Sequence, residues 1–306
     1  MRLAITHETH YRYSSDVEQA HHVAMLYPLS TPTQDLMWAR VDIYPQPDTQ
    51  SESLDALQQR RLYFDFSQPH SELKVVAHSE VITRALPSNQ QGKLDRVAIP
   101  VSLAWTEVAD YMRYNANQSF DGAREFVQSS PLALVAPVFA RYVEDLATPS
   151  TSVFRLASEL CQRIHREFAY APDATDVDTS PLRAFELKRG VCQDFAQVMI
   201  ASLRSLGLAA RYVSGYLLTE PPPGQPRLIG ADASHAWVAV YCPRAGWLEF
   251  DPTNNCLAGE GHVVVAYGRD YSDVPPLRGV IRGGGAHTLQ VRVTVMPVDG
   301  STTLDG

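Results

Sequence analysis

Cysteine is scarce in this chain: of 306 residues only Cys161, Cys192, Cys242 and Cys256 are thiols. Four irregularly spaced cysteines do not make the disulfide framework that stabilises small secreted domains, so reduced thiols are expected. There is no Cys-x-x-Cys pair, and His21-His22 has no spaced partner, so no resident metal is expected. Positive charge is also in deficit. With 26 Lys and Arg against 34 Asp and Glu the net charge is -8, which argues against a phosphate-backbone binder and leaves no nucleic-acid partner to expect. Long apolar runs are missing too. The best candidate, 132–140, is short and broken by Pro137, well below the roughly 20 apolar residues of a membrane helix, so no membrane partner is expected. The first residues reach His7 and Glu8 before any apolar stretch, which does not read as a secretory signal, and a cytoplasmic location is the expectation. Gly283-Gly284-Gly285 lacks the Lys-Ser/Thr of a phosphate loop and does not match the dinucleotide fingerprint. The acidic loop 171–181 lacks EF-hand spacing. No cofactor is therefore expected.

What remains is an ordinary globular composition, 45% apolar and 20% charged, long enough for two domains or one large domain with a satellite. In the first part, Ile5, Tyr11 and Tyr13 share one face of an alternating segment, and 23–27, 38–44, 61–66 and 73–83 are further strand candidates separated by Pro-containing turns. Residues 1–95 are expected to form a β-rich, sandwich-like domain. A partly helical connecting segment, 96–150, follows, with a helix expected from Ser130-Pro131 to about Leu146 and a kink at Pro137. The third unit is 151–270. Ser150-Thr151-Ser152 offers N-caps to a helix whose Val153, Leu156, Ala157, Leu160, Ile164 and Phe168 make one buried stripe. A second helix starts near Cys192, carries Phe195, Ala196, Met199, Leu203 and Leu206 on one face, and ends at Gly207. Strands are expected at 210–219, 236–241 and 247–250, with a rigid Pro-rich loop at 221–226. Residues 271–306 are a C-terminal loop and strand extension.

Three short blocks carry chemistry: 190–196 (GVCQDFA), 234–237 (SHAW) and 247–253 (WLEFDPT). Cys192 in the first turn of a helix meets unpaired amides whose partial positive charge favours a thiolate. His235 opens one strand candidate and Asp251 ends the next. Their separation of 16 residues suits a hairpin that brings them together. A thiol nucleophile, an imidazole that holds its proton and a carboxylate that fixes the tautomer together form one arrangement for acyl transfer. The Cys192 backbone N–H is placed to donate to the oxyanion formed on attack. Gly190 suits a tight entry to the helix, where a side chain would block substrate. Asp194, in the first helical turn, favours the dipole but opposes a thiolate, and reads as structural. Asp251→Ala is expected to slow acylation and leave the fold intact.

These blocks, with 206–216 (LGLAARYVSGY), resemble the transglutaminase-like superfamily core, and the upstream region resembles the N-terminal domain of its bacterial members. The resemblance implies an α+β fold: a papain-like core, with the cysteine-bearing helix packed on an antiparallel sheet, preceded by the β-sandwich-like domain. It implies Cys192 as nucleophile, His235 as general base and acid, and Asp251 as orienter. Because the family often adds an aromatic or amide oxyanion donor, Tyr170 is a candidate for that role. The expected activity is hydrolysis of a peptide or carboxamide bond in a peptide or protein substrate through a Cys192 thioester. Alternatives are a protein-glutamine transglutaminase with an amine acceptor, another thiol acyltransferase, and a non-catalytic binding protein. The added β-domain offers surface for a homo-oligomer.

Overall fold

The structure is a computed structural model that describes residues 1–84, 93–94, 100–116, 119–176, 179–219 and 234–298. The Pro-rich loop read at 221–226 lies outside these residues. The first part is built on one long strand, β1 (Arg2–Ala24). Four antiparallel strands complete its main path: β2 (Gln34–Tyr44), β3 (Thr49–Leu54), β4 (Arg60–Phe66) and β5 (His70–Thr83), in the order β2-β5-β1-β4-β3. The near end of β1 pairs with β5, and its far end pairs with β4. Side chains from both halves of this sheet, including Val17, Ile43, Leu62, Phe64, Val75 and Ala77, meet in one core.

Helical structure starts with α1 (Trp105–Met112) and α2 (Pro137–Val143), followed by α3 (Val153–Glu167). The helix expected from Ser130 instead starts at Pro137. Proline suits the first helical position because it has no N–H to satisfy there, and the Ser130 hydroxyl is occupied by Arg204 at 3.0 Å. A short parallel pair, β6 (Ala169–Tyr170) and β7 (Arg189–Gly190), flanks α4 (Pro181–Leu187) and leads into α5 (Cys192–Arg204). The core sheet comprises β8 (Ala210–Leu217), β9 (Ser234–Cys242), β10 (Gly246–Asp251), β11 (Cys256–Leu257) and β12 (His262–Gly268), all antiparallel, in the order β11-β10-β9-β8-β12.

Alternation along β9 gives the core sheet two buried faces. Ala236, Val238 and Val240 join the main core, which contains Phe195, Val198 and Met199 of α5. Trp237 and Ala239 join a second cluster with Val213 and Val264 on the opposite face.

The chain then returns to the first sheet. β13 (Leu277–Gly283) and β14 (His287–Pro297) both pair with β1, joined by a turn in which Gly283, Gly284 and Gly285 all have positive φ. Leu3, Ile5, Val293 and Val295 of that sheet are buried in the same core as the helices.

Two glutamines complete the junction between the parts. β12 ends the core sheet and has an unpaired outer edge to satisfy. The Gln34 carboxamide accepts the Val264 N–H and donates to the Val264 carbonyl, both at 2.9 Å. Gln59 treats Tyr267 in the same way. Each buried amide takes the place of a neighbouring strand's peptide group. His7 adds a buried contact, with Nδ1 3.0 Å from the Tyr216 hydroxyl on β8. Among the described residues, no helix is long and apolar enough to cross a membrane.

Candidate active site

Cys192 is the first residue of α5, where the backbone amides lack intrahelical acceptors. Asp194 satisfies one neighbouring amide. Its Oδ2 accepts the Val191 N–H at 2.8 Å and the Thr175 hydroxyl at 2.7 Å. Burial pushes the Asp194 carboxyl up, opposed by these hydrogen bonds. The structural reading of Asp194 therefore has a geometric content: it builds the turn that presents Cys192.

The same carboxylate accounts for Gly190. A Cβ at that position would lie 2.3 Å from Asp194 Oδ2. The sequence reading assigned the constraint to substrate access, but the group a side chain would strike first is the helix-capping carboxylate. Gly190→Ala is expected to displace Asp194, lower stability by about 1–3 kcal/mol, the cost of a lost buried hydrogen bond plus strain, and slow Cys192 alkylation. Urea unfolding and iodoacetamide kinetics check it; unchanged values in both would exclude this role for the cap.

His235 and Asp251 meet as neighbouring strand ends. β9 and β10 pair with Gly246 opposite Cys242 and Phe250 opposite Val238, which brings Asp251 alongside the start of β9. His235 Nε2 lies 2.8 Å from Asp251 Oδ2, and Cys192 is near enough to the same imidazole to contribute to its electrostatics. With Nε2 committed to the carboxylate, Nδ1 is the nitrogen left for the thiol. Trp237 stacks on His235 with ring centroids 5.9 Å apart, and its own N–H is tied to Glu249 at 2.7 Å.

The electrostatics follow from this packing. Burial disfavours a charged His235, but the Asp251 charge and hydrogen bond, with a contribution from Cys192, win and push its pKa up to about 10. Burial likewise disfavours an ionised Asp251, yet His235 and His262 hold its carboxyl well below the usual range. The other thiols behave differently. Burial raises Cys161, Cys242 and Cys256, the last to about 12, and the Asp251 charge adds to the rise at Cys161 and Cys256.

Asp251 has more partners than sequence reasoning found. Its Oδ1 accepts the Thr253 and Asn254 amides at 2.9 and 3.0 Å. Oδ2 faces His235, the Asn254 side chain at 2.7 Å and His262 Nε2 at 3.1 Å. Asn254 follows the Asp-Pro-Thr block directly and was available as a turn signal; His262, opening a Val-rich strand, has no local signal of this role. The ligand atoms of His235, Asp251 and His262 all lie within 4.8 Å of one another, a spacing a divalent cation could use. Five N–H groups already converge on the carboxylate, however, so the cluster reads as a hydrogen-bond hub.

Tyr170 lies at the end of β6, 56% exposed, with its ring edge-on to Phe195 at 6.4 Å. Partial burial of its hydroxyl, with a smaller contribution from Cys192, raises its pKa. It stays neutral, and thus able to donate, at neutral pH.

Comparison with known proteins adds the family. The model of the transglutaminase-like superfamily matches residues 139–252, and that of the bacterial transglutaminase-like N-terminal region matches residues 3–82. An uncharacterised protein of Mycobacterium tuberculosis (strain ATCC 25618 / H37Rv) is 36% identical over 313 residues, covering 98% of this chain and 94% of its own. The chain belongs to the transglutaminase-like superfamily. A protein-glutamine gamma-glutamyltransferase of Pseudomonas aeruginosa is 39% identical over 102 residues, 32% of this chain but 15% of that one. The crystal structure of a candidate cysteine protease from Cytophaga hutchinsonii matches the fold with a TM-score of 0.75 at 18% identity, over 99% of this chain and 92% of that one. That likeness establishes the architecture, a mixed fold with a sheet-rich N-terminal region ahead of a transglutaminase-like core.

Proposed function

We propose that this superfamily member is a cysteine-dependent hydrolase of peptide or carboxamide bonds. The observation that carries the reading is the buried 2.8 Å contact between His235 and Asp251, with Cys192 at a helix start near the same imidazole. In the proposed sequence the Cys192 thiolate attacks the carbonyl carbon and a tetrahedral oxyanion forms. The first-turn amides of α5 supply donors for it, and the Tyr170 hydroxyl is the candidate second donor. The C–N bond breaks as the His235 imidazolium gives its proton to the leaving amine. His235 then takes a proton from water, which attacks the thioester and releases the acid and the thiolate.

Transamidation is the second reading, favoured by the gamma-glutamyltransferase relative over part of the core. It differs only in the final acceptor, an amine in place of water. A glutamine-containing peptide incubated with a primary amine separates the two: ammonia release without amine incorporation supports hydrolysis, and incorporation supports transamidation.

Thiol labelling tests the shared first half. A free thiol of pKa ~8.5 is only about 0.3% thiolate at pH 6, so a thiol that reacts well there is one whose anion a neighbouring cation stabilises, and the proposed partner is His235, held by Asp251 at 2.8 Å. Iodoacetamide at pH 6 is expected to label Cys192 selectively, about 30–100-fold faster than in His235→Ala, allowing for the lower nucleophilicity of a stabilised thiolate. Equal labelling of all four cysteines, unchanged by that substitution, would refute an activated thiolate.

A further inference from the structure

Asp251 serves two imidazoles through one oxygen. His262 Nδ1 accepts the Gly259 N–H at 3.1 Å. A ring nitrogen that accepts from an amide carries no proton, so the proton of His262 sits on Nε2, directed at Asp251 Oδ2 3.1 Å away. His235 Nε2 and Asn254 Nδ2 donate to that same oxygen. The two imidazoles are also neighbours. Their centroids are 6.2 Å from each other, and Trp237 lies against both, stacked on His235 and edge-on to His262 at 5.2 Å. The hydrogen-bonded link between them is the oxygen they share, Asp251 Oδ2.

We propose that His262 is a positioning residue for the acyl-transfer reaction: a fixed N–H donor that draws part of the Asp251 charge away from His235 and keeps its imidazolium acidic enough to protonate the leaving amine. This rests on the hydrolase reading above. The carboxylate does not need His262 to stay in place, because two backbone amides hold Oδ1 and Asn254 holds Oδ2. What His262 changes is how many donors share the charge. Without it, Oδ2 has two partners and His235 meets a more negative acceptor. The resulting imidazolium still stabilises the thiolate but gives up its proton less readily. The charged and titratable groups around the pair are few. Cys192 of α5 and Asp251 of β10 face His235, while Cys161 of α3, Cys256 of β11 and Lys93 interact electrostatically in the Asp251 neighbourhood.

The test compares the full chain with His262→Leu and His262→Gln; Gln keeps an N–H donor on a side chain of similar reach. Imidazole nitrogen NMR of the wild type is expected to show His262 as the Nε2–H form. In His262→Leu the His235 titration midpoint is expected to rise by about half to one pH unit, a typical size for losing one hydrogen-bond partner from a shared charge. Two acyl probes read the consequence. An acetyl p-nitrophenyl ester needs no proton on its leaving group, and the matching p-nitroanilide does. His262→Leu should slow the anilide about 5–10-fold and the ester less than about twofold, since the proton transfer of general-acid catalysis is all that is impaired. His262→Gln should restore both the midpoint and the ester-to-anilide ratio. An unmoved His235 midpoint, or equal slowing of both probes that Gln does not rescue, would overturn the proposal and leave His262 a packing residue. Loss of the hydrolase reading looks different: Cys192 would be inert to iodoacetamide in the wild type, while the His235 midpoint would still report whether His262 competes for Asp251.

Discussion

Asp251→Ala is expected to abolish nearly all turnover and also to unfold the protein far more easily. The sequence treats Asp251 as an orienter of His235 whose loss slows acylation and spares the fold. Its surroundings are those of a structural hub as well: the carboxylate is 0% exposed and receives five N–H groups from Thr253, Asn254, His235 and His262. Alanine leaves those donors facing a void. Relaxation and entering water recover part of the loss, and a net cost of about 3–5 kcal/mol is expected, as for other buried charges deprived of a partner. On activity, an imidazole without its carboxylate loses both the required tautomer and the stabilisation of its charge, so the proposed reaction is expected to slow by about 10⁴-fold, the effect of disabling the carboxylate in a Ser-His-Asp triad.

Asp251→Asn sharpens the argument. The amide keeps the volume, yet whichever way it turns its NH2 group confronts N–H donors, either the two backbone amides or His235, Asn254 and His262. Its stability is expected to lie between wild type and Asp251→Ala, with activity as low as in Asp251→Ala. Urea unfolding, turnover and iodoacetamide labelling of Cys192 at pH 6 provide the measurements. A variant that unfolds at the wild-type midpoint would contradict the hub, and one that labels at the wild-type rate would contradict the coupling of Asp251 to the thiol.

How far the sequence discloses this site depends on whether a residue's partner is local. The meeting of His235 with Asp251 was legible because each stands in a distinctive block, and because 16 residues between them fit an antiparallel pair. His262 was not, since a histidine that opens a continuous apolar strand has the same local pattern whether it faces solvent or a carboxylate. Gln34 and Gln59 were hidden for the same reason: their partners, Val264 and Tyr267, lie 230 and 208 residues away. Most of the strands were readable from alternation. β3 was not, because its residues are all exposed and show no apolar face. β13 and β14 show the limit most clearly: the alternation at 288–295 marks a strand, but nothing in it says that the partner is β1, at the opposite end of the chain. Periodicity reports a buried face, and the identity of what buries it is a tertiary fact.

Arg204→Met is expected to destabilise the protein as strongly as Asp251→Ala and yet leave the thiol chemistry of the folded molecules intact. Arg204 is 1% exposed and ends α5, the helix that Cys192 begins. Its guanidinium makes six hydrogen bonds. Nε donates to the Phe126 and Ala210 carbonyls, Nη1 to the Gln128 carbonyl and the Ser130 hydroxyl, and Nη2 to the Ala210 and Arg269 carbonyls, all within 2.7–3.1 Å. Burial lowers its pKa to about 10, with Asp270 opposing the fall, so it remains charged at neutral pH. Asp270 is itself fully buried and accepts the Leu132 N–H at 2.7 Å, so this arginine and aspartate together secure residues 126–132. Methionine fills comparable space but satisfies none of these acceptors, and about 3–5 kcal/mol of stability should be lost. Arg204→Lys keeps the charge but not the planar fork, and is expected to recover less than half of that. Limited proteolysis should cut both variants first within 121–132, where the carbonyls lose their donor. Cys192 lies twelve residues away along α5, roughly 18 Å at the helical rise. Its labelling rate per folded molecule should therefore be unchanged, in contrast to Asp251→Ala, which is expected to lose stability and thiolate activation together. Wild-type stability in Arg204→Met would mean that water replaces the guanidinium at these carbonyls.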